Sequence, residues 1–149
     1  YKVKCTVGKR GITAKKREGD YSTPKGIFKL KEIFYRNDKV RRLKTKLKKT
    51  KITKKMGWCD SPKSIYYNKL IRFPFQESAE RLHRNDSIYD IIVVIDYNMK
   101  PIIKGKGSAI FLHIARNGYK PTKGCIAISK RNMRTLLLTL KLNSKIIVF

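Results

Sequence analysis

Two residue types able to start covalent chemistry, cysteine and histidine, fall close together in the last third of the chain. His113 comes near the end of the apolar run "GSAIFLHIA", and Cys125 follows a polar loop and opens "GCIAIS". A thiolate attacks a carbonyl where a thiol does not, so such a cysteine needs a base or a positive charge beside it, and His113 and Lys123 are the candidates. Gly124 lets the backbone turn tightly, which would aim the Cys125 amide at a developing oxyanion. A metal-free Cys–His pair of this kind is the simplest acyl-transfer machinery. The same pattern would also arise from a buried cysteine and a satisfied histidine on neighbouring strands.

The other thiols and the other imidazole have less to work with. Cys5 falls on the side of "YKVKCTV" shared with Tyr1, Val3 and Val7, and is expected to pack in the core. Cys59, in "GWCDSP", has no base in its own segment and reads as a structural thiol or a disulfide partner in an ordered loop. His83, in "ERLHRND", is flanked by charge and reads as a surface or loop residue. Three cysteines with no C-x-x-C pair, and two separated histidines, give no metal-ligand spacing.

The elements that must position His113 and Cys125 are mainly strands. "IFKLKEIF", the β-branched run "IYDIIVVIDYN", "GSAIFLHIA", "GCIAIS" and the closing "KIIVF" all read as strands, with "NMKP" as a hairpin turn into "IIK". Ser129 has the chemistry of a helix cap, and Met133, Leu136, Leu137 and Leu140 then share one helical face. The expectation is one domain over residues 1–149, mostly β with minor α and one clear C-terminal helix.

Charge is the unusual bulk property: 37 Lys and Arg against 10 Asp and Glu give +27, with both halves of the chain basic. A polyanionic partner is expected. In "RRLKTKLKKTKITKK", from Arg41 to Lys55, Lys44, Lys46 and Lys48 alternate with Leu43, Thr45 and Leu47. That stretch reads either as an edge strand whose lysines block edge-to-edge pairing, or as a contact for an anionic polymer, nucleic acid or cell wall. Lysine-favouring codons in an A+T-rich genome would give the same bias. No apolar run reaches the ~18 residues of a membrane span. The chain opens on Tyr1 rather than Met, which reads as a removed start that could have carried an export signal.

"HIARNGYKPTKGCIAIS" resembles the catalytic signature of the L,D-transpeptidase (YkuD-like) family: a His, a gap, then Ser/Thr-His-Gly-Cys, a hydrophobic residue, and Asn or Arg. His113, Thr122, Gly124, Cys125 and Ile126 match it. Lys123 stands in place of the second His, Ala127 in place of Asn or Arg, and the gap is shorter than usual. Upstream, "GDYSTPKGIF" is similar to the family's Gly-Asp-x-x-Thr-Pro-x-Gly-x-Phe element, and "GWCDSP", "YN" and "ERLHRND" resemble a compact stand-alone branch. The likeness runs through nearly the whole chain. It implies a β-sandwich-type catalytic domain in which Cys125 is the nucleophile and His113 its base, steadied by a backbone carbonyl. Gly124 and Lys123 would shape the oxyanion site, and Thr122, Ser108 and Arg116 would contact substrate. It further implies peptidoglycan stem peptides as substrates, no metal or organic cofactor, a periplasmic or cell-envelope location and sensitivity to carbapenems. Two other classes remain at this point: a basic nucleic-acid-binding module, and a family member that binds peptidoglycan without reacting.

Overall fold

The computed structural model describes residues 2–149. Its strands are β1 (Cys5–Thr6), β2 (Ile12–Thr13), β3 (Thr23–Pro24), β4 (Gly26–Tyr35), β5 (Lys49–Lys51) and β6 (Met56–Cys59), then β7 (Leu70–Arg72), β8 (Ala79–Arg81), β9 (Ile91–Ile95), β10 (Phe111–Ile114), β11 (Ile126–Ile128) and β12 (Lys145–Val148). One α-helix, α1 (Lys130–Thr139), joins the last two strands. The chain is therefore mostly β with minor α, as its patterning predicts.

The main sheet runs β1-β11-β10-β9-β4-β12. A register shift between Leu30 and Ile33 interrupts the pairing of β4 with β9. On its other edge β4 pairs first with β12 and then, beyond the shift, with β5. β9 lies between β10 and β4, and all five of its residues are buried, which explains its unbroken "IIVVI". Its side chains alternate between two cores. Ile91, Val93 and Ile95 join Leu112, Ile114, Ile126 and Ile128 in packing against Met133 and Leu137 of α1. Ile92 and Val94 join Phe34, Phe111 and Cys125 in packing against Met56 and Trp58 of a second sheet, β7-β6-β8. The layers are thus helix, main sheet, small sheet. The helix starts as expected: the Ser129 side chain accepts a hydrogen bond from the Asn132 amide.

β10 and β11 are parallel, with His113 opposite Ala127. A parallel pair needs a crossover, and here it is the loop from Ala115 to Cys125 that returns the chain to the same end of the sheet. His113 and Phe111 are two residues apart on one strand, so both face the second core, as Cys125 does. The fold therefore delivers thiol and imidazole to the same face of adjacent strands.

Several local expectations are corrected. Cys5 is exposed although its partner Ile128 and its neighbour Val7 belong to the helix-side core, because β1 is a two-residue edge strand that the core leaves uncovered at Cys5; Tyr1 lies outside the described residues. "GWC" is not loop but part of β6, buried on both sides, so it shows no alternation. The lysine-rich stretch keeps its alternation, with Leu43 and Leu47 buried and Lys44, Lys46 and Lys48 exposed, yet only Lys49–Lys51 is strand. The two leucines pin a loop to the helix-side core. Ile102 and Ile103 form no strand after "NMKP". No helix among the described residues is long and apolar enough to cross a membrane.

Candidate active site

Cys125 sits where the crossover loop enters β11, and its approach is fixed by the segment before β4. Gly124 has φ +138°, and a Cβ there would meet the Ser22 carbonyl oxygen at 2.9 Å, so only glycine fits. The buried Thr23 hydroxyl donates to the Gly124 carbonyl at 2.9 Å and accepts from the Gly8 amide at 2.9 Å. Thr122 Oγ1 donates to the Cys125 carbonyl at 2.6 Å and accepts from the Gly124 amide at 3.1 Å. "GDYSTPKG" thus acts as a clamp on the "TKGC" loop, although 101 residues separate Thr23 from Gly124.

The Cys125 thiol is 9% exposed. Its Sγ donates to the Ala109 carbonyl at 3.1 Å and accepts from the Phe111 amide at 3.4 Å. Burial pushes the thiol up to about 12, with the Glu80 carboxylate raising it further and the Phe111 amide and Lys16 opposing. His113 is 5% exposed, and burial pulls its imidazole down to about 4. Its Nδ1 lies 2.9 Å from the Ile114 carbonyl. A carbonyl can only accept, so the proton is on Nδ1 and the lone pair on Nε2. At rest the pair is a neutral thiol and a neutral imidazole.

The imidazole is also fixed by an aromatic contact. Tyr89 meets it edge-on at 5.3 Å between ring centroids, and the Tyr89 hydroxyl donates to Glu80 at 2.6 Å. The loop carrying the Ala109 carbonyl is held from behind. Asn68 Oδ1 accepts from the Ala109 amide at 3.1 Å and from Trp58 Nε1 at 2.9 Å, while Asn68 Nδ2 donates to the Tyr97 and Asn98 carbonyls. Ala109 itself is held at φ +52°, a left-handed conformation that costs energy for any residue with a Cβ.

Thiol and imidazole open onto a cleft of about 670 Å³, large enough for several residues of peptide. Thr122, Lys123, Ser108 and Arg116 also line it, so the cleft brings the expected site residues together, with Gly124 directly behind. The Thr122 hydroxyl donates to the Cys125 carbonyl within the loop, and Ser108 donates to Glu18 at 2.7 Å, so toward a substrate both hydroxyls are left as acceptors. Gly124 shapes the turn, but its amide is already taken by Thr122. Lys123 is exposed and acts on Glu80; the cation that favours the thiolate is the buried Lys16. His83 is half-buried and lies outside the cleft lining. All three cysteines are free.

Sequence reasoning missed Lys16, Asp60, Glu80, Arg84 and Tyr89, all of which line the cleft. Asp60 lies in "GWCDSP" and Glu80 and Arg84 in "ERLHRND", segments that carry the family likeness, but no chemistry in the segments around any of the five marks these side chains. Asp60 Oδ1 is buried there with no hydrogen-bond partner. No group of His, Cys, Asp and Glu suited to a metal ion occurs among the described residues.

The family model that matches, L,D-transpeptidase catalytic domain (YkuD), spans residues 1–148, and the chain belongs to that family. No curated protein and no solved structure matches the chain.

The burial of His113 has a pH signature. The unfolded chain takes up a proton near pH ~6.5, whereas the folded imidazole holds out to about 4. Between those values the unfolded state binds more protons, so stability is lost as pH falls, by about 3 kcal/mol across the window. Urea midpoints at pH 7 and pH 4.5 should therefore fall further for the wild type than for His113→Gln. An equal drop in both proteins would show that His113 is not the group responsible.

Proposed function

We propose that the protein is a cysteine-dependent peptidoglycan L,D-transpeptidase. The observation that carries this reading is the Nδ1 bond to the Ile114 carbonyl, which leaves Nε2 as the basic nitrogen in a cleft that also holds the Cys125 thiol. Cys125 Sγ attacks the carbonyl joining the L-centre of the diamino acid, third in the stem peptide, to the following D-residue. His113 Nε2 takes the thiol proton as the C–S bond forms. With the Gly124 amide engaged by Thr122, the Cys125 amide is the loop donor for the oxyanion. The tetrahedral adduct collapses, the C–N bond breaks, and His113 returns the proton to the departing amine. A thioester remains. An amine of a neighbouring stem attacks it to join two third residues, or water attacks it and the stem is trimmed.

The site lies at the cell envelope in this reading, and the +27 charge holds the enzyme to the anionic wall polymer. Nucleic acid would bind the same surface without sequence preference. Incubation with a tetrapeptide muropeptide should yield a cross-linked dimer, a trimmed tripeptide, or both, seen by mass spectrometry. Unchanged tetrapeptide after incubation with folded, reduced protein would leave only a binding role.

A further inference from the structure

Ala127 lies opposite His113 in the β10–β11 register and offers only a methyl group beside the imidazole. Of the three arginines that line the cleft, Arg81, Arg84 and Arg116, the last two meet at Asp86. Arg84 donates from Nε and a terminal nitrogen to Asp86 at 2.9 and 2.7 Å, which fixes its plane, and its guanidinium carbon lies 5.5 Å from the centre of the Tyr89 ring. The same Tyr89 ring packs on His113. Arg116, from the crossover loop, approaches Asp86 at 3.8 Å. Two guanidiniums thus share one carboxylate and keep a net positive charge. Both line the cleft together with His113. The remaining acids of the lining, Glu18, Asp60 and Glu80, would repel an anion.

The chemistry of the reaction says what that charge meets. His113 must protonate the departing nitrogen. If the donor ends at the leaving D-residue, that nitrogen is separated from a free carboxylate by only two bonds, roughly 2.5 Å. The carboxylate therefore has to sit next to the imidazole. Resting on the acyl-transfer reading, we propose that Arg84, assisted by Arg116, binds the terminal carboxylate of the leaving residue and so selects donors that end there. Arg84 keeps N–H groups unused by Asp86, and a guanidinium fork suits a carboxylate. No bond is made or broken by this contact; it sets which peptide is presented to Cys125.

Two synthetic tetrapeptide donors, one ending in a carboxylate and one in a primary amide, test the assignment through release of the terminal residue by the full chain. The wild type should favour the acid in kcat/KM by about tenfold or more, the usual weight of a charged hydrogen bond. In Arg84→Gln that ratio should collapse toward one, chiefly through KM for the acid. Arg84→Lys, which keeps the charge and guards against a folding defect in the first variant, should retain part of the ratio. A wild type indifferent to the terminus, or an Arg84→Gln protein that loses activity equally on both donors, would overturn the assignment and leave Arg84 as a support for Tyr89. Processing of neither donor by the wild type would instead remove the acyl-transfer reading itself, and this inference with it.

Discussion

Cys125→Ala should reduce thioester formation with a stem-peptide donor to background, and His113→Gln should lower it by about 10²–10⁴-fold, the usual range for a positioned general base. The two losses should not add in the double variant, because nucleophile and base act as a unit. Both single variants should fold. Cys125→Ala gives up only the bonds of Sγ to Ala109 and Phe111, and the glutamine amide can still donate to the Ile114 carbonyl that now holds Nδ1. The neutral resting pair makes the base more important than it would be for a preformed thiolate: with the thiol up at about 12, almost no thiolate exists at pH 7 without a proton acceptor in contact. Lys123→Ala should shift the pH–rate profile little, since Lys123 is exposed and Lys16 is the cation acting on the sulfur. Quenched-flow mass spectrometry of the acyl-enzyme provides the measurement. Undiminished turnover in folded Cys125→Ala would end the case for this nucleophile.

A carbapenem should add once, at Cys125, while a simple alkylating agent should prefer Cys5. This inversion follows from two different controls on reactivity. Alkylation by iodoacetamide tracks exposure and thiolate fraction, and Cys5 is exposed whereas Cys59 and Cys125 are buried. Opening a lactam demands more: a base for the thiol proton and donors for the oxyanion, which the Cys125 loop and His113 offer and the β1 edge does not. The strained lactam carbonyl resembles the scissile amide, and carbapenem sensitivity is characteristic of the family that Cys125 and its flanking residues resemble. Intact-mass measurement and peptide mapping should show a single carbapenem adduct that is absent from Cys125→Ala. The same Cys125→Ala protein should still take iodoacetamide at Cys5. Carbapenem on Cys5 or Cys59, or on no residue of a reduced and folded sample, would mean that the cleft lacks the activating groups assigned to it.

The residues that define the family and the candidate chemistry were legible in the sequence because they depend on local pattern. β-branched runs such as "IIVVI" prefer a pleated, buried surface wherever they lie, and Ser129 followed by apolar residues three and four apart specifies a capped helix without outside help. "TKGC" and the preceding His113 likewise marked a candidate nucleophile and base, and Gly124 and Thr122 build the turn among themselves. Other features needed the folded chain. Alternation in "YKVKCTV" identifies the face that meets the core at Val7 but cannot say how far the core reaches along an edge strand; Cys5, on the same face opposite Ile128, is left exposed. β6 had no alternation to read because both of its faces are covered.

The lysine-rich stretch announced its inward leucines but not its shape, which depends on where Leu43 and Leu47 find the core. The site's electrostatics were the least visible of all. Whether a thiol is raised or lowered depends on desolvation and on charges brought together across the fold, and neither is a property of neighbours in sequence. Lys123, two residues before Cys125 in the chain, is exposed, while Lys16, more than a hundred residues away, is buried and lines the cleft with the sulfur. The sequence by itself determined which atoms could react; only the tertiary structure decided their protonation, their partners and the charge that a substrate meets on arrival.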